Sequence, residues 1–359
     1  MSPTLSTPQP ARHASPTAKA CALAHLIFER PNMEKTESFL RDFGLLLTRR
    51  EQDVLYMRGA AAGPAYCYRL QQGPKARFLG LGFEVSSRAE LEALAALAGA
   101  STIEASAHPG GGQQVSLRDP SGFLVEVLWN QKRVPALPCR KPLPVNSSAQ
   151  QPRVNEPQRP PLRPTEVLRL GHAVLEVADF QATCSWYTQH LGLIPSDVQV
   201  LPDGSPGVVF LRLDRGPEPT DHHTLAIAQG FMPLYSHSAY EVVDLDAITM
   251  GHRFLKSRRW THAWGVGRHI LGSQLFDYWQ DPCGDKHEHY CDGDVFTSDH
   301  PLGVHPIHRE AMAQWGPPMP ASFTRPSFTA EKLQALFKNV RTSPDLSFRK
   351  LTTLARLLG

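Results

Sequence analysis

Six cysteines in 359 residues, at positions 21, 67, 139, 184, 283 and 291, fall into no CxxC pair. That excludes a zinc knuckle and gives no disulfide framework, so the expected state is reduced thiols in the cytoplasm. Charge of one sign is also lacking: the formal net charge is +3, and no stripe of Lys and Arg interleaved with aromatics occurs. Neither a nucleic-acid field nor a polyacidic partner is implied. Long hydrophobic runs are absent as well. The opening MSPTLSTPQPARHASPTAKA has no apolar signal core, and no stretch nears the ~18 apolar residues of a membrane span. What remains is a globular composition, 41% hydrophobic and 20% charged, with length for two domains.

Proline marks the divisions. Residues 1–21, rich in Pro, Ser, Thr and Ala, are expected to be disordered. A first globular region spans 22–134, a Pro-rich linker 135–166, and a second globular region 167–299. Residues 300–359 form a tail carrying WGPPMP at 315–320 and an amphipathic helix candidate around Ala330–Leu358.

The two globular regions read as distant copies. LAHLIFE at 23–29 echoes LGHAVLEV at 170–177, and LRDPSGFLVEVLW at 117–129 echoes YWQDPCGDKHEHY at 278–290. In both endings a Glu follows the turn Asp by seven residues, Asp119 to Glu126 and Asp281 to Glu288. Within each region a strand-helix-strands unit occurs twice, starting at His25 and Gly80 and again at His172 and His237. The expected fold is α+β: two domains, each of two paired βαβββ modules curved around a cavity, with a C-terminal helical tail.

Strand alternation sorts the candidate chemistry. His172 and His237 open equivalent strands and face the same cavity. Folding about Asp281-Pro282-Cys283-Gly284 sets Tyr278 opposite Glu288, while His287 and His289 point away. Two imidazoles and one carboxylate, His172, His237 and Glu288, form a set that covers one face of an octahedral ion and suits non-haem Fe(II).

With these motifs in view the chain resembles the type I extradiol ring-cleavage dioxygenases of the vicinal oxygen chelate superfamily, over nearly all of residues 22–300. GHAVLEV at 171–177, DHHTLAI at 221–227, SHSAYEV at 236–242 and GRHILGSQLFDYWQDPCGDKHEHY at 267–290 carry the resemblance. The family spaces a His, a Tyr nine residues on and a Glu ten beyond that, as His269, Tyr278 and Glu288 do here. The resemblance implies Fe(II), or Mn(II) on the same ligands, with O₂ as co-substrate and a small aromatic diol opened beside its hydroxyls. It implies catalytic roles for His223, His269 and Tyr278. The Thr in His222-His223-Thr224 favours His223 as the active-site residue; a spacing of 14 to His237, one short of the family's, keeps His222 as the alternative. Ser236 stands where many members carry a second His, and alternation points it away from the cavity.

His222, Trp264 and Trp315 are expected along the substrate pocket. The first domain keeps His25 and Glu126, but Gly80 stands in place of its second His and Ser116 near the Tyr position, so it resembles a metal-free degenerate copy. The rivals within the fold are a glyoxalase-like isomerase or epimerase and a metal-free binding module. A homo-oligomer is expected, with no nucleic-acid or membrane partner.

Overall fold

The computed structural model describes residues 11–324 and 329–358. The first domain contains β1 (Ala20–Arg30), α1 (Met33–Phe43), β2 (Leu46–Arg50), β3 (Val54–Arg58), β4 (Tyr68–Gln72), β5 (Arg77–Val85), α2 (Arg88–Ala95), β6 (Glu104–Ala105), β7 (Gln113–Arg118) and β8 (Leu124–Trp129). The second contains β9 (Val167–Val177), α3 (Phe180–Leu191), β10 (Ile194–Val200), β11 (Pro206–Arg212), β12 (Thr220–Asp221), β13 (Leu225–Gln229), β14 (Leu234–Val242), α4 (Leu245–Ser257), β15 (Thr261–Arg268), β16 (Leu275–Gln280), β17 (Lys286–Cys291), β18 (Val295–Phe296) and β19 (Gly303–Pro306). A 3₁₀ turn at Arg309–Met312 leads to α5 (Ala321–Thr324), α6 (Ala330–Thr342) and α7 (Phe348–Leu358).

Each domain is built on one large sheet of two like units, and the second adds a small β12–β18 pair. The eight-stranded sheet runs β2-β3-β4-β1-β5-β8-β7-β6, and the nine-stranded sheet β15-β16-β17-β14-β9-β13-β11-β10-β19. In both, the first strands of the two units pair antiparallel at the centre, β1 with β5 and β9 with β14. The fold is α+β, and among the described residues no helix is long and apolar enough to cross a membrane.

Helix ends follow local chemistry. Asn32 and Asp244 cap α1 and α4 by accepting from the backbone N–H three residues on, and Ser87 with Glu90 forms a capping box on α2. Gly44 ends α1 at φ +109°, where a Cβ would lie 2.0 Å from the Thr165 carbonyl oxygen, so only glycine lets the two domains close here.

One apolar cluster joins Phe28, Phe39 and Phe43 of the first domain to Tyr240 and Trp279 of the second. Within this contact Arg30 is fully buried. Its Nε and Nη2 donate to Asp281 Oδ2 at 3.2 and 3.0 Å, and Nη2 also pairs with Asp285. Asp281 Oδ1 in turn accepts from the Cys283 and Asp285 amides, fixing the β16–β17 turn. His289 Nε2 donates to the Phe43 carbonyl at 2.7 Å.

Two features depart from the sequence reading. The N-terminal segment expected to be disordered is held from residue 17 onward: the Thr17 and Ala18 amides donate to the Gln189 and His190 carbonyls, and β1 begins at Ala20. Residues 1–10 lie outside the described residues. The single helix expected over 330–358 is two, because Pro344 cannot continue α6 and the chain turns at Ser343–Asp345.

Arg30→Met leaves the buried Asp281 carboxylate, and the partly exposed Asp285 beside it, without their cation. It is expected to lower the unfolding free energy by about 3–5 kcal/mol, read from the urea midpoint. A loss under about 1 kcal/mol would show that the pair is not what holds the domains together.

Candidate metal centre

The concave face of the second sheet gathers the candidate ligands by register. His172 on β9 lies opposite Ala239 of β14, and Ala239 lies beside Glu288 of β17. Across the β16–β17 hairpin Tyr278 pairs with Glu288. His237 reaches the same side two residues before Ala239. A β-bulge between Tyr235 and His237 shifts the β14 register there, so Ser236 also lines the cavity, contrary to simple alternation. His287 and His289 face the other side, among Phe39, Phe43 and Tyr240.

His172, His237 and Glu288 each bring one ligand atom within 4.8 Å of the others. Nε2 of His172 and of His237 lie 3.4 and 3.6 Å from Glu288 Oε2. Neighbouring ligands on an octahedral ion with bonds of ~2.1 Å sit about 3 Å apart, so a divalent cation needs little adjustment. Glu288 is 0% exposed, and neither carboxylate oxygen has a hydrogen-bond donor. Burial alone would push this carboxyl up, but His172, His269 and His237 outweigh it and hold Glu288 well below the usual range. Burial, with His172 nearby, lowers His237 to about 3 even against the Glu288 charge, so the imidazole is neutral and its lone pair available. A buried carboxylate without a hydrogen-bond donor among the described residues, facing two imidazoles, suits a cation by its donor chemistry.

A second cluster shows the difference. His252, His262 and Asp277 have comparable spacing on the opposite face. There Asp277 accepts from His262 Nε2 at 2.8 Å and Trp279 Nε1 at 2.6 Å, so its charge is already satisfied.

Around Glu288 stand two polar groupings. His269 Nδ1 can only donate to the Met312 carbonyl, 2.7 Å away. Its neutral form therefore keeps a lone pair on Nε2, which accepts the Tyr278 hydroxyl proton at 2.9 Å. His223 lies against His172, ring centroids 3.9 Å apart and planes tilted by 42°. Its Nδ1 lies 2.9 Å from His222 Nδ1, and His222 Nε2 donates to Asp197 at 2.6 Å. Asp197 thus orients His222 to accept from His223, leaving His223 Nε2 for the cavity. Burial and the surrounding His172, His222 and His237 hold His223 far below its ordinary pKa.

Residues 169–286 match the family profile of the Glyoxalase/Bleomycin resistance protein/Dioxygenase superfamily. Metapyrocatechase 2 of Cupriavidus necator is 28% identical over 316 residues, 87% of this chain and 94% of that protein. The similarity to this superfamily lies in the second domain, and the similarity to the metapyrocatechase runs through both. The chain's fold is shared with homoprotocatechuate 2,3-dioxygenase of Brevibacterium fuscum, solved with 3,4-dihydroxyphenylacetate (TM-score 0.71, 18% identity, 89% of this chain and 96% of that one). It is shared also with a Mn(II)-bound glyoxalase of Novosphingobium aromaticivorans (TM-score 0.71, 22% identity, 88% and 99%).

The first domain repeats the row with a different outcome. His25 pairs with Gly82, and Gly82 lies beside Glu126, in the register of His172, Ala239 and Glu288. Gly80 therefore occupies the position of His237, and Ser116, opposite Glu126, that of Tyr278. Arg69, which the sequence reading overlooks, supplies the cation: its Nη2 and Nη1 donate to the two Glu126 oxygens at 2.7 and 3.1 Å. His25 Nε2 lies 2.9 Å from Glu126 Oε2. Arg69 lies on β4, where a cationic strand residue gives no sign of its partner until the sheet closes.

The pocket residues expected from sequence are placed elsewhere. Trp264 stacks behind Tyr278 and donates to the Pro317 carbonyl. Trp315 is 45% exposed, its backbone paired with Arg268. His222 lies behind His223 against Phe296. None of the three lines the cavity; from the WGPPMP segment it is Met319 that does.

Burial raises the Glu126 carboxyl, yet His25 and Arg69 together bring it down to about 2. Burial lowers His25 as well, holding it neutral, so the charge that acts on Glu126 is that of Arg69. A depressed carboxyl stabilises fully above its unfolded pKa and loses that stability as pH falls through the folded value. The difference in unfolding free energy between wild type and Glu126→Gln is thus expected to be roughly 3 kcal/mol at pH 7 and to close between about pH 4.5 and 2. A difference that stays constant over that range would contradict the Arg69 pairing.

Proposed function

We propose that this chain is an extradiol dioxygenase that opens the ring of a catechol with O₂, using Fe(II) held by His172, His237 and Glu288. The observation that carries the reading is the buried Glu288 carboxylate, which faces the His172 and His237 imidazoles and, among the described residues, has no hydrogen-bond donor. Three ligands on one side leave the cavity side for a diol and O₂. Bound Fe(II) supplies a common centre for both reactants and the electron path that spin-restricted O₂ requires. The same donors suit Mn(II), the ion named for the Novosphingobium neighbour.

The protein's own groups handle protons and orientation. Tyr278 already donates to His269, so its phenol oxygen is positioned as an acceptor. A diol hydroxyl that donates to Tyr278 passes its proton on: the Tyr278 proton moves to His269 Nε2, while His269 Nδ1–H stays on the Met312 carbonyl. Burial, with Glu288 adding to it, raises Tyr278 well above its ordinary pKa, so the phenol does not ionise permanently and serves as a relay. On the other wall His223 offers Nε2 to the reacting oxygens, held in that tautomer by His222 and Asp197. Val174, Phe210 and Ala226 beside these groups exclude water from the ring. One diol and one O₂ give one ring-opened product that retains both oxygen atoms, with the carbon–carbon bond beside the diol broken.

The test uses protein purified without oxygen and loaded with Fe(II). Catechol, 3-methylcatechol and 2,3-dihydroxybiphenyl in aerated buffer are expected to consume O₂ one for one with a yellow product. His237→Ala is expected to abolish both signals. Bound iron with no O₂ uptake on any diol would overturn the reading and favour a metal-dependent isomerase.

A further inference from the structure

The cavity that ends at His172 and His237 has a volume of about 680 Å³. A bare catechol takes on the order of 150 Å³ by the measure that gives one water ~30 Å³ of liquid. Most of the cavity is therefore built for something attached to the ring. Its far end is Phe231 from the β13–β14 connection with Leu336 of α6 and Phe348, Leu351, Leu354 and Ala355 of α7.

That roof is anchored in the domain. Asn339 Nδ2 donates to the Phe231 carbonyl at 2.8 Å, Lys350 Nζ to Gln229 Oε1 at 2.9 Å, and Ser343 Oγ to the Ala178 carbonyl at 2.9 Å. The Gln181 amide donates to Asp345 Oδ2 at 2.8 Å. The C-terminal helices are thus a wall of the cavity, at fixed distance from the metal ligands.

Charge narrows the substituent further. Among the described residues no Lys or Arg side chain lines the cavity. The one ionisable side chain on its wall away from the histidines is Glu176, which shares a strand face with His172 and Val174. Four residues along β9 place it ~13 Å from His172. An anionic substituent would meet largely apolar wall and the Glu176 carboxyl, while the nearby Lys286 and Lys350 ammonium groups already donate to the Phe323 carbonyl and Gln229.

We propose, resting on the extradiol reading, that the substrate is a catechol bearing a large uncharged hydrophobic substituent, an alkyl chain or a second ring system, received by α6 and α7. This differs from the 3,4-dihydroxyphenylacetate carried by the Brevibacterium neighbour, whose side chain ends in a carboxylate.

The experiment compares the full, Fe(II)-loaded chain on catechol, alkylcatechols with one, four and eight carbons, 2,3-dihydroxybiphenyl and 3,4-dihydroxyphenylacetate. It reads kcat/KM in air and, without oxygen, the dissociation constant by calorimetry. Burial of each methylene is worth roughly fourfold, so the four-carbon chain is expected to exceed catechol on the order of a hundredfold in both readouts. The acid is expected to fall at least tenfold below an uncharged chain of its length. Leu351→Trp and, as a second fill of the roof, Leu336→Trp are expected to remove most of the eight-carbon advantage while leaving catechol within about twofold. A preference for the aryl over the alkyl series, or the reverse, identifies which substituent fits. Affinity and kcat/KM that stay flat or fall with chain length, or that favour the acid, overturn the proposal. Loss of turnover on every diol with chain-length-dependent binding intact would count against the reaction and in favour of the hydrophobic site.

Discussion

A carboxylate buried without a donor is the constraint on which this molecule turns. An ion in a low-dielectric interior is costly unless an opposite charge meets it. Both domains bury a Glu at the same register position, and they satisfy it differently. In the first, the Arg69 guanidinium grips both Glu126 oxygens from within the chain. In the second, the His172 and His237 imidazoles face Glu288 and, among the described residues, no side chain donates to it, which is the basis for the proposed metal. One copy closes an internal ion pair, and the other leaves its carboxylate free for the proposed metal.

The rest of the architecture places that carboxylate. Glu288 rides on the β16–β17 hairpin, whose turn Asp281 is held by Arg30 of the first domain. The His289 bond to the Phe43 carbonyl pins the same strand on its outer face. The first domain therefore acts as a brace for the hairpin that carries Glu288. On the open side, α6 and α7 close the cavity with apolar side chains and link the tail to substrate fit.

Much of this was legible in the sequence, because strand alternation and a fixed turn-to-Glu spacing are local signals that a duplicated unit repeats. The paired βαβββ units and the row His172, His237, Glu288 and Tyr278 follow from them. What the sequence concealed depends on long-range closure. Ser236 faces the cavity only because a bulge interrupts β14. Arg69 and Asp197 show their partners only when distant strands meet. Trp264 and Trp315 look like pocket aromatics by proximity to the His269 motif, but Trp264 packs behind Tyr278 and Trp315 lies at the surface. The break at Pro344 was readable, and its consequence, a two-helix roof, was not.

The central claim is that the two copies differ in which cation they take, and metal binding tests it most directly. Calorimetric titration of the apo chain with Fe(II) under nitrogen is predicted to give one ion per chain. That ion is lost in Glu288→Ala and retained in a variant carrying both Arg69→Met and Glu126→Gln. Two ions per chain, or an undiminished site in Glu288→Ala, would contradict the account.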